Sequence, residues 1–464
     1  MNYENYLSPF SWRYGSQKMR EIWSEIHKRY LWRKIWVMLA EVLSDFGLVK
    51  SEQVVDLQNH LKQVDMERAL EIETLIQHDL MAELKSFAEQ APIGGSILHL
   101  GATSTDIEDN TDILRIHQSL DLVLEQLRCV LLEFAQKIEE WADLPIIAFT
   151  HLQPAEPSTL GYRLAGYAQD LYSDWIELVR IKRNLKGKGF KGAVGSGASF
   201  CELLGEEKYG CFEHKLSEKL GINFYPITTQ VYPRKQDYQL LSTLSGLAIS
   251  LYKFAFDLRI LQSPPIGELS EPFGKSQVGS SAMPFKRNPI KSEKIDSLAR
   301  SLAQMPRVAW DNAAHSLLER TLDDSANRRF LLPEAFLITD EILKAANDII
   351  KGLQVDQRTI EHNLSIYAPF AAIERLLMNL TKKGADRQEM HERLRLHAIQ
   401  AWEAIRLGQT NPLEELLILD LEIHKFLSED ELLKLMRIDD YVGDTPARAR
   451  NLAREIKKEI TPNS

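Results

Sequence analysis

Apolar residues recur every three or four positions along most of the chain, the period of a helix buried on one face. Across residues 107–141, the positions Ile113, Leu114, Leu120, Leu124, Leu127, Leu131, Phe134 and Ile138 predict a single helix of unusual length. The same periodicity predicts helices over 159 to about 185, 237 to about 262, 289 to about 311, and 330 to about 350. In the 237–262 segment, Leu240, Leu241, Leu244, Leu247, Leu251, Phe254, Leu258 and Leu261 form a stripe wide enough to be covered in part by another subunit. Helices well beyond the usual dozen residues, separated by loops bearing Gly and Pro, imply a bundle. Shorter helical patterns such as 19–46 and 51–59 make residues 1–103 an N-terminal helical domain. Residues 104–354 then form the central long-helix bundle, and 355–464, rich in Leu and charge, a compact C-terminal helical domain. Strand-like alternation is confined to 146–149 and 224–228. The predicted class is all-α with three domains.

Composition narrows the function. The chain has 464 residues, 44% of them hydrophobic, and a net charge of −10. That charge argues against a general nucleic-acid or membrane-surface binder, which needs a basic face. Charges interrupt every apolar stretch before it reaches the length of a membrane span. The first dozen residues lack the basic and apolar sequence of a signal peptide. Cys129, Cys201 and Cys211 are odd in number and without metal-ligand spacing, so they read as thiols of a reducing, cytoplasmic compartment. Neither a dinucleotide fingerprint nor a P-loop is present. Gly187, Gly189, Gly192, Gly195 and Gly197 follow a predicted helix and read as an interhelical loop. No metal and no cofactor is expected. Thr461 to Ser464 read as a frayed tail.

The densest chemistry lies in Gly279-Ser280-Ser281-Ala282-Met283-Pro284-Phe285-Lys286-Arg287-Asn288-Pro289. Gly279 permits unusual backbone angles, two hydroxyls follow, and Lys286 and Asn288 sit just before a helix that starts at Pro289. Hydroxyls, a cation, an amide and a helix N-terminus thus share one loop, suited to an anionic reacting group. In Thr150-His151-Leu152-Gln153-Pro154-Ala155, a histidine stands in a loop ahead of a helix. In 99–106, Thr105 with Glu108 fits a capping box opening the long helix. In 319–329, Ser325 and Arg329 are four apart and share a face if that stretch is helical.

The 279–289 loop resembles the GSSxMPxKxNP signature of the fumarase/aspartase superfamily, matching every fixed position. The resemblance implies an all-α, three-domain fumarase/aspartase-like fold and a homotetramer with active sites shared between subunits. It also implies β-elimination of fumarate, with Ser280 as general base and Lys286 and Asn288 stabilising the charge that develops. The 150–155 segment is similar to the TH.QPA segment of the adenylosuccinate lyase family, which implies His151 as general acid. The stretch Glu319 to Arg329 closely resembles the ERTLDDSANRR block of animal-type members of that family. There it implies Arg320, Ser325 and Arg329 as ligands of the nucleotide, chiefly its phosphate. By the same resemblance Arg13, Tyr14, His78, Asp79, Thr103, Ser104, Gln230 and Lys294 bind substrate, and Glu293 supports catalysis. The implied reactions release fumarate from adenylosuccinate and from its imidazole-carboxamide analogue SAICAR, in purine nucleotide biosynthesis. Two positions depart from the family pattern: Gln77 stands where an arginine precedes His78-Asp79, and Lys294 where an arginine follows Glu293. The alternative, another superfamily lyase such as argininosuccinate lyase or fumarase, shares the Ser280 loop but leaves the 319–329 block and Arg13-Tyr14 without a role.

Overall fold

The computed structural model describes residues 4–438 and 440–461, so most of the expected tail lies outside the described residues. The fold is all-α. Long helices run over Ser104–Glu140, Leu160–Asn184, Lys235–Leu261 and Asp323–Lys351, as the periodicity predicts for all but the start of the last. That helix opens at Asp323, about two turns ahead of the apolar stripe that begins at Phe330. Its first turns bury charge rather than hydrocarbon, so the stripe does not register them.

The helix expected over 289–311 divides into Ile290–Leu302 and Met305–Ala314. Pro306 lacks the N–H that a continuing helix would use and clashes with the carbonyl four residues back, so a new helix begins around it. The expected 224–228 strand shrinks to Asn223–Phe224, paired in parallel with Lys186–Gly187. Pro226, with no N–H to donate to a ladder, ends it. The expected 146–149 strand belongs to a hairpin, Pro145–Thr150 against Gln153–Thr159.

Contacts divide the chain into two compact units. The first holds residues 1–127, 174–249 and 297–344; the second holds 128–173, 250–296 and 345–464. The four long helices and Ile290–Leu302 each contribute residues to both. In the first unit Ile113, Ile116, Leu120, Val123, Leu240, Leu244 and Phe336 are fully buried or nearly so. Each such side chain contributes roughly 1.5–3 kcal/mol relative to exposure. In the second unit Phe134 and Tyr167 meet Phe254 edge-on, with ring centroids 5.1 and 5.5 Å away, which ties three helices together. A further core there joins Ile147 of the hairpin to Leu376, Leu380, Leu394, Leu417 and Leu432 of the C-terminal helices. No described helix is long and apolar enough to cross a membrane.

Candidate active site

In the first unit a cavity of about 110 Å³ is lined by Asp79, Arg320, Ser325 and Arg329, four of the residues expected to bind substrate. Ser325 and Arg329 lie one helical turn apart at the start of Asp323–Lys351, on the face that borders the cavity. Arg329 donates to Asp79 at 2.8 Å. Asp79 opens the Asp79–Gln90 helix, whose N-cap is His78, with Nδ1 accepting from the Met81 N–H at 3.5 Å. The other ring nitrogen of His78 is 3.4 Å from the Ser104 hydroxyl. Burial pushes the Asp79 carboxyl up, but Arg329 and the Leu80 N–H outweigh it and hold it below the usual carboxylate range.

Beneath these residues lies a buried ionic lattice that the sequence reading missed. Arg234 meets Asp109 through two bonds of 3.0 and 3.1 Å, and its Nε donates to Asp324 at 2.6 Å. Asp324 also accepts from Arg320 at 2.7 Å. Arg328 donates to Asp237 at 2.8 Å and to the Tyr232 hydroxyl at 2.7 Å, and pairs with Asp112 at 3.1 Å. Burial works against the charge on Arg328, but Asp237, Tyr232, Asp112 and Asp109 together raise its pKa well above the ordinary value. One signal was available: Arg320, Asp324 and Arg328 recur every four residues, a charged stripe at helical period next to the stripe of Ser325 and Arg329. The partners Asp109, Arg234 and Asp237 carry no such mark.

The long helix opens differently from expectation. The Thr103 N–H donates to the Asp106 carboxylate at 2.9 Å, so the capping contact joins Thr103 and Asp106 rather than Thr105 and Glu108. Asp106 is claimed by buried Lys188 and by the N–H groups of Lys191 and Gly192, so the glycine-bearing loop braces the helix start. The freed Thr105 hydroxyl donates to the carbonyl of Gln230, whose N–H donates to Glu319 at 3.1 Å. Gln230 is thereby fixed beside Thr105 and Glu319. Arg13 and Tyr14 are not among the cavity-lining residues. Arg13 is exposed, its guanidinium 5.7 Å from the Trp12 ring and 5.9 Å from the Tyr14 ring. Gln77, the departure before His78, ends its helix in the left-handed region at φ 54° and is exposed.

In the second unit the 279–289 loop is held by its own backbone. Gly279 has no positive φ. It is needed because a Cβ there would lie 1.9 Å from the carbonyl oxygen of Lys286. Asn288 donates to the Gly279 carbonyl at 2.9 Å and closes the same loop. The Ser280 Oγ accepts from the N–H groups of Ala282 at 3.3 Å and Met283 at 3.0 Å. Two backbone donors therefore converge on the hydroxyl oxygen. At the loop's base Glu271, almost wholly buried, accepts from the N–H groups of Lys291 and Ser292 at 3.1 and 3.0 Å and so caps the following helix. Gln262 accepts from the Glu271 N–H at 3.1 Å and donates to the Arg287 carbonyl at 3.0 Å, bridging both ends. Neither Gln262 nor Glu271 was singled out from the sequence. Lys286 and Asn288 line a cavity of about 710 Å³ with Arg259 and Glu271. Glu293 stands half exposed 4.0 Å from Arg259, and Lys294 is part-buried on the same helix.

His151 sits at the tip of the hairpin, where the Thr150–Gln153 pair closes a two-residue turn. His151 and Leu152 both have positive φ, 53° and 58°, the sense that matches the twist of paired strands. Neither is glycine, so the turn holds side chains in a conformation that costs roughly 1–2 kcal/mol per residue. His151 is exposed and lines a cavity of about 610 Å³ with Phe149, Tyr162, Arg163, Tyr167 and Asp257. Within the single chain, then, His151 and Lys286 border different cavities of the second unit.

Comparison with known proteins places this architecture. Residues 16–303 match the profile of the family described as Lyase, and residues 369–452 that described as Adenylosuccinate lyase C-terminus. The chain is 37% identical to the adenylosuccinate lyase of Saccharomyces cerevisiae over 99% of its own length and 97% of the relative's. It is 38% identical to that of Schistosoma mansoni over 90% and 88%, and 36% identical to that of Pyrococcus abyssi over 97% and 98%. Among solved structures, a fumarate lyase from Mesorhizobium sp. BNC1 superposes with a TM-score of 0.84 at 24% identity, covering 97% of this chain and 99% of the other. A 3-carboxy-cis,cis-muconate lactonizing enzyme from Pseudomonas putida gives the same TM-score, identity and coverage. These structures share the fold; the relatives with higher identity carry the family. The chain belongs to the adenylosuccinate lyase family.

Proposed function

We propose that this protein eliminates fumarate from adenylosuccinate to give AMP, and from SAICAR to give AICAR, as a C–N lyase of purine nucleotide biosynthesis. The observation that carries the reading is the Ser280 loop. A hydroxyl oxygen that accepts two backbone N–H bonds is prepared to bear negative charge, and Lys286 adds a cation to the same loop. Ser280 takes the proton from the succinyl carbon next to a carboxylate. The electron pair delocalises into that carboxylate, held by Lys286 and Asn288. As it returns to form the C=C bond of fumarate, the C–N bond breaks and His151 protonates the leaving nitrogen. Glu293 supports this machinery, and Lys294 adds charge beside it. Arg320, Ser325 and Arg329 hold the phosphate, while His78, Asp79, Thr103, Ser104, Gln230, Arg13 and Tyr14 complete the substrate's surroundings.

Assembly as a homotetramer with shared active sites is part of the proposal. It is supported by the separate cavities bordered by His151 and Lys286. It also accounts for Ile176, Ile249 and Phe256, apolar residues left exposed on the long helices. A cytoplasmic location fits the reaction and its nucleotide substrate. The deciding measurement incubates purified protein with adenylosuccinate and no added metal. The expected result is loss of its absorbance with release of AMP and fumarate. Turnover of argininosuccinate alone, or of neither compound, would overturn the reading.

A further inference from the structure

Five carboxylates border the first unit's cavity: Glu25, Asp79, Glu108, Asp109 and Asp112. Four are committed. Glu25 pairs with Lys28 at 2.7 Å, Asp79 with Arg329 at 2.8 Å, Asp109 with Arg234 at 3.0 Å and Asp112 with Arg328 at 3.1 Å. The Glu108 carboxylate has no hydrogen bond and no ion pair among the described residues, although the residue is part-buried and borders the same space. We propose that Glu108 takes up a proton when the nucleotide's phosphate enters beside Arg329, so that binding of the phosphate dianion is proton-coupled. This rests on the reading that Arg320, Ser325 and Arg329 receive that phosphate.

The groups around Glu108 set the direction of the coupling. Its own helix contributes Asp109, Asp112 and Arg115; the Glu25–Asp45 helix contributes Glu25 and Lys28; the Asp79–Gln90 helix contributes Asp79. Arg328 and Arg329 come from Asp323–Lys351, and Arg234 and Arg320 from the segments before two helices. Lys28 and the five arginines are matched only when Asp237 and Asp324, which pair with Arg328, Arg234 and Arg320 from behind the cavity, join the four committed carboxylates. Six cations then face six paired carboxylates, and Glu108 is left without a counter-charge of its own. Burial, then Asp79, Asp109 and Asp112, push its carboxyl up to about 7, with Lys28 opposing them. An ionised carboxylate only accepts hydrogen bonds and repels a phosphate; the protonated acid donates one. A phosphate near Arg329 therefore raises the affinity of Glu108 for its proton still further. Above the pH at which the empty site titrates, each bound phosphate must draw a proton from solvent. Affinity then falls by up to about tenfold per pH unit.

The test is calorimetric titration of AMP into the whole protein at pH 8, in buffers of differing ionisation enthalpy. At that pH the phosphate, whose second pKa is near 6, is already a dianion and takes up no proton itself. The expected result is uptake approaching one proton per site. Glu108→Gln should abolish the uptake and flatten the dependence of Kd on pH between 7 and 8.5, while Glu108→Asp retains both. AMP binding without proton uptake, or uptake that persists in Glu108→Gln, overturns the role of Glu108 and leaves the nucleotide reading standing. Failure of AMP to bind at all overturns the nucleotide reading, and this proposal with it.

Discussion

Around Asp324 every arginine meets a carboxylate before any ligand arrives, whereas around Ser280 the side chains proposed to react stand on a loop held mainly by its own backbone. The first arrangement is fixed charge in a protein interior. Its strength depends on burial, and each partner is costly to remove because the other is left uncompensated. The second exposes Lys286 and keeps Ser280 only part-buried, and its order rests on a few contacts: the approach of Gly279 to Lys286, the Asn288 clamp and the Glu271 cap. The difference separates stability from turnover. Changes in the ionic lattice should act on folding first, and changes in the loop on chemistry first.

The sharpest separation is expected at Ser280. Ser280→Ala should lower kcat by roughly 10²–10⁴-fold, the usual worth of a general base, with no shift of Tm; a near-normal kcat would remove Ser280 from the mechanism. His151→Ala should behave alike. Asp324→Asn should do the reverse, destabilising by about 3–5 kcal/mol through loss of the charge that serves Arg234 and Arg320. Burial raises the Asp324 carboxyl, but Arg234, Arg328 and Arg320 hold it below the usual range. The stability it contributes is therefore present above the ordinary carboxylate pKa of about 4 and is lost as pH falls through the depressed value. Denaturant titrations should accordingly show the gap between Asp324→Asn and the parent closing in acid; a gap that persists there would break the comparison.

Gly279→Ala is next in size. Its Cβ would meet the Lys286 carbonyl, so the loop must shift, and a displacement of about 1 Å is enough to cost on the order of 10²-fold in kcat. Thermal melts should barely move, and a large fall in Tm would show the loop to be part of the folding core. The smallest effects are expected at the family departures. Gln77→Arg and Lys294→Arg should change KM by a few fold, about 1 kcal/mol or less, with kcat unchanged. Gln77 is exposed and already in the left-handed region, where arginine is no more strained than glutamine. A change in kcat rather than KM would place these residues with the chemistry instead of with anion binding.

Much of this was legible in the chain. The long helices announced themselves because helical burial has a local period, and the 279–289 and 319–329 stretches because their residue order is distinctive. What the period missed is instructive. The first turns of Asp323–Lys351 were lost because their inward face is charged, and the 289–311 helix was overrun because an apolar stripe does not register the proline that divides it. The capping contact moved to Thr103 and Asp106 because Lys188, more than eighty residues away, claims Asp106 and fixes the helix start.

The sequence by itself determined the all-α class, the Ser280 loop, the His151 segment and the arginine block, since each is written in neighbouring residues. Only the tertiary structure decided which charges neutralise one another. Arg234 meets Asp109 and Asp324, and Arg328 meets Asp237, across sequence separations of 125, 90 and 91. Coulombic pairing in an interior depends on distance and burial, and neither exists until the helices have packed. The same packing that satisfied Asp79, Asp109, Asp112 and Asp324 left the Glu108 carboxylate, among the described residues, without a partner at the cavity's edge.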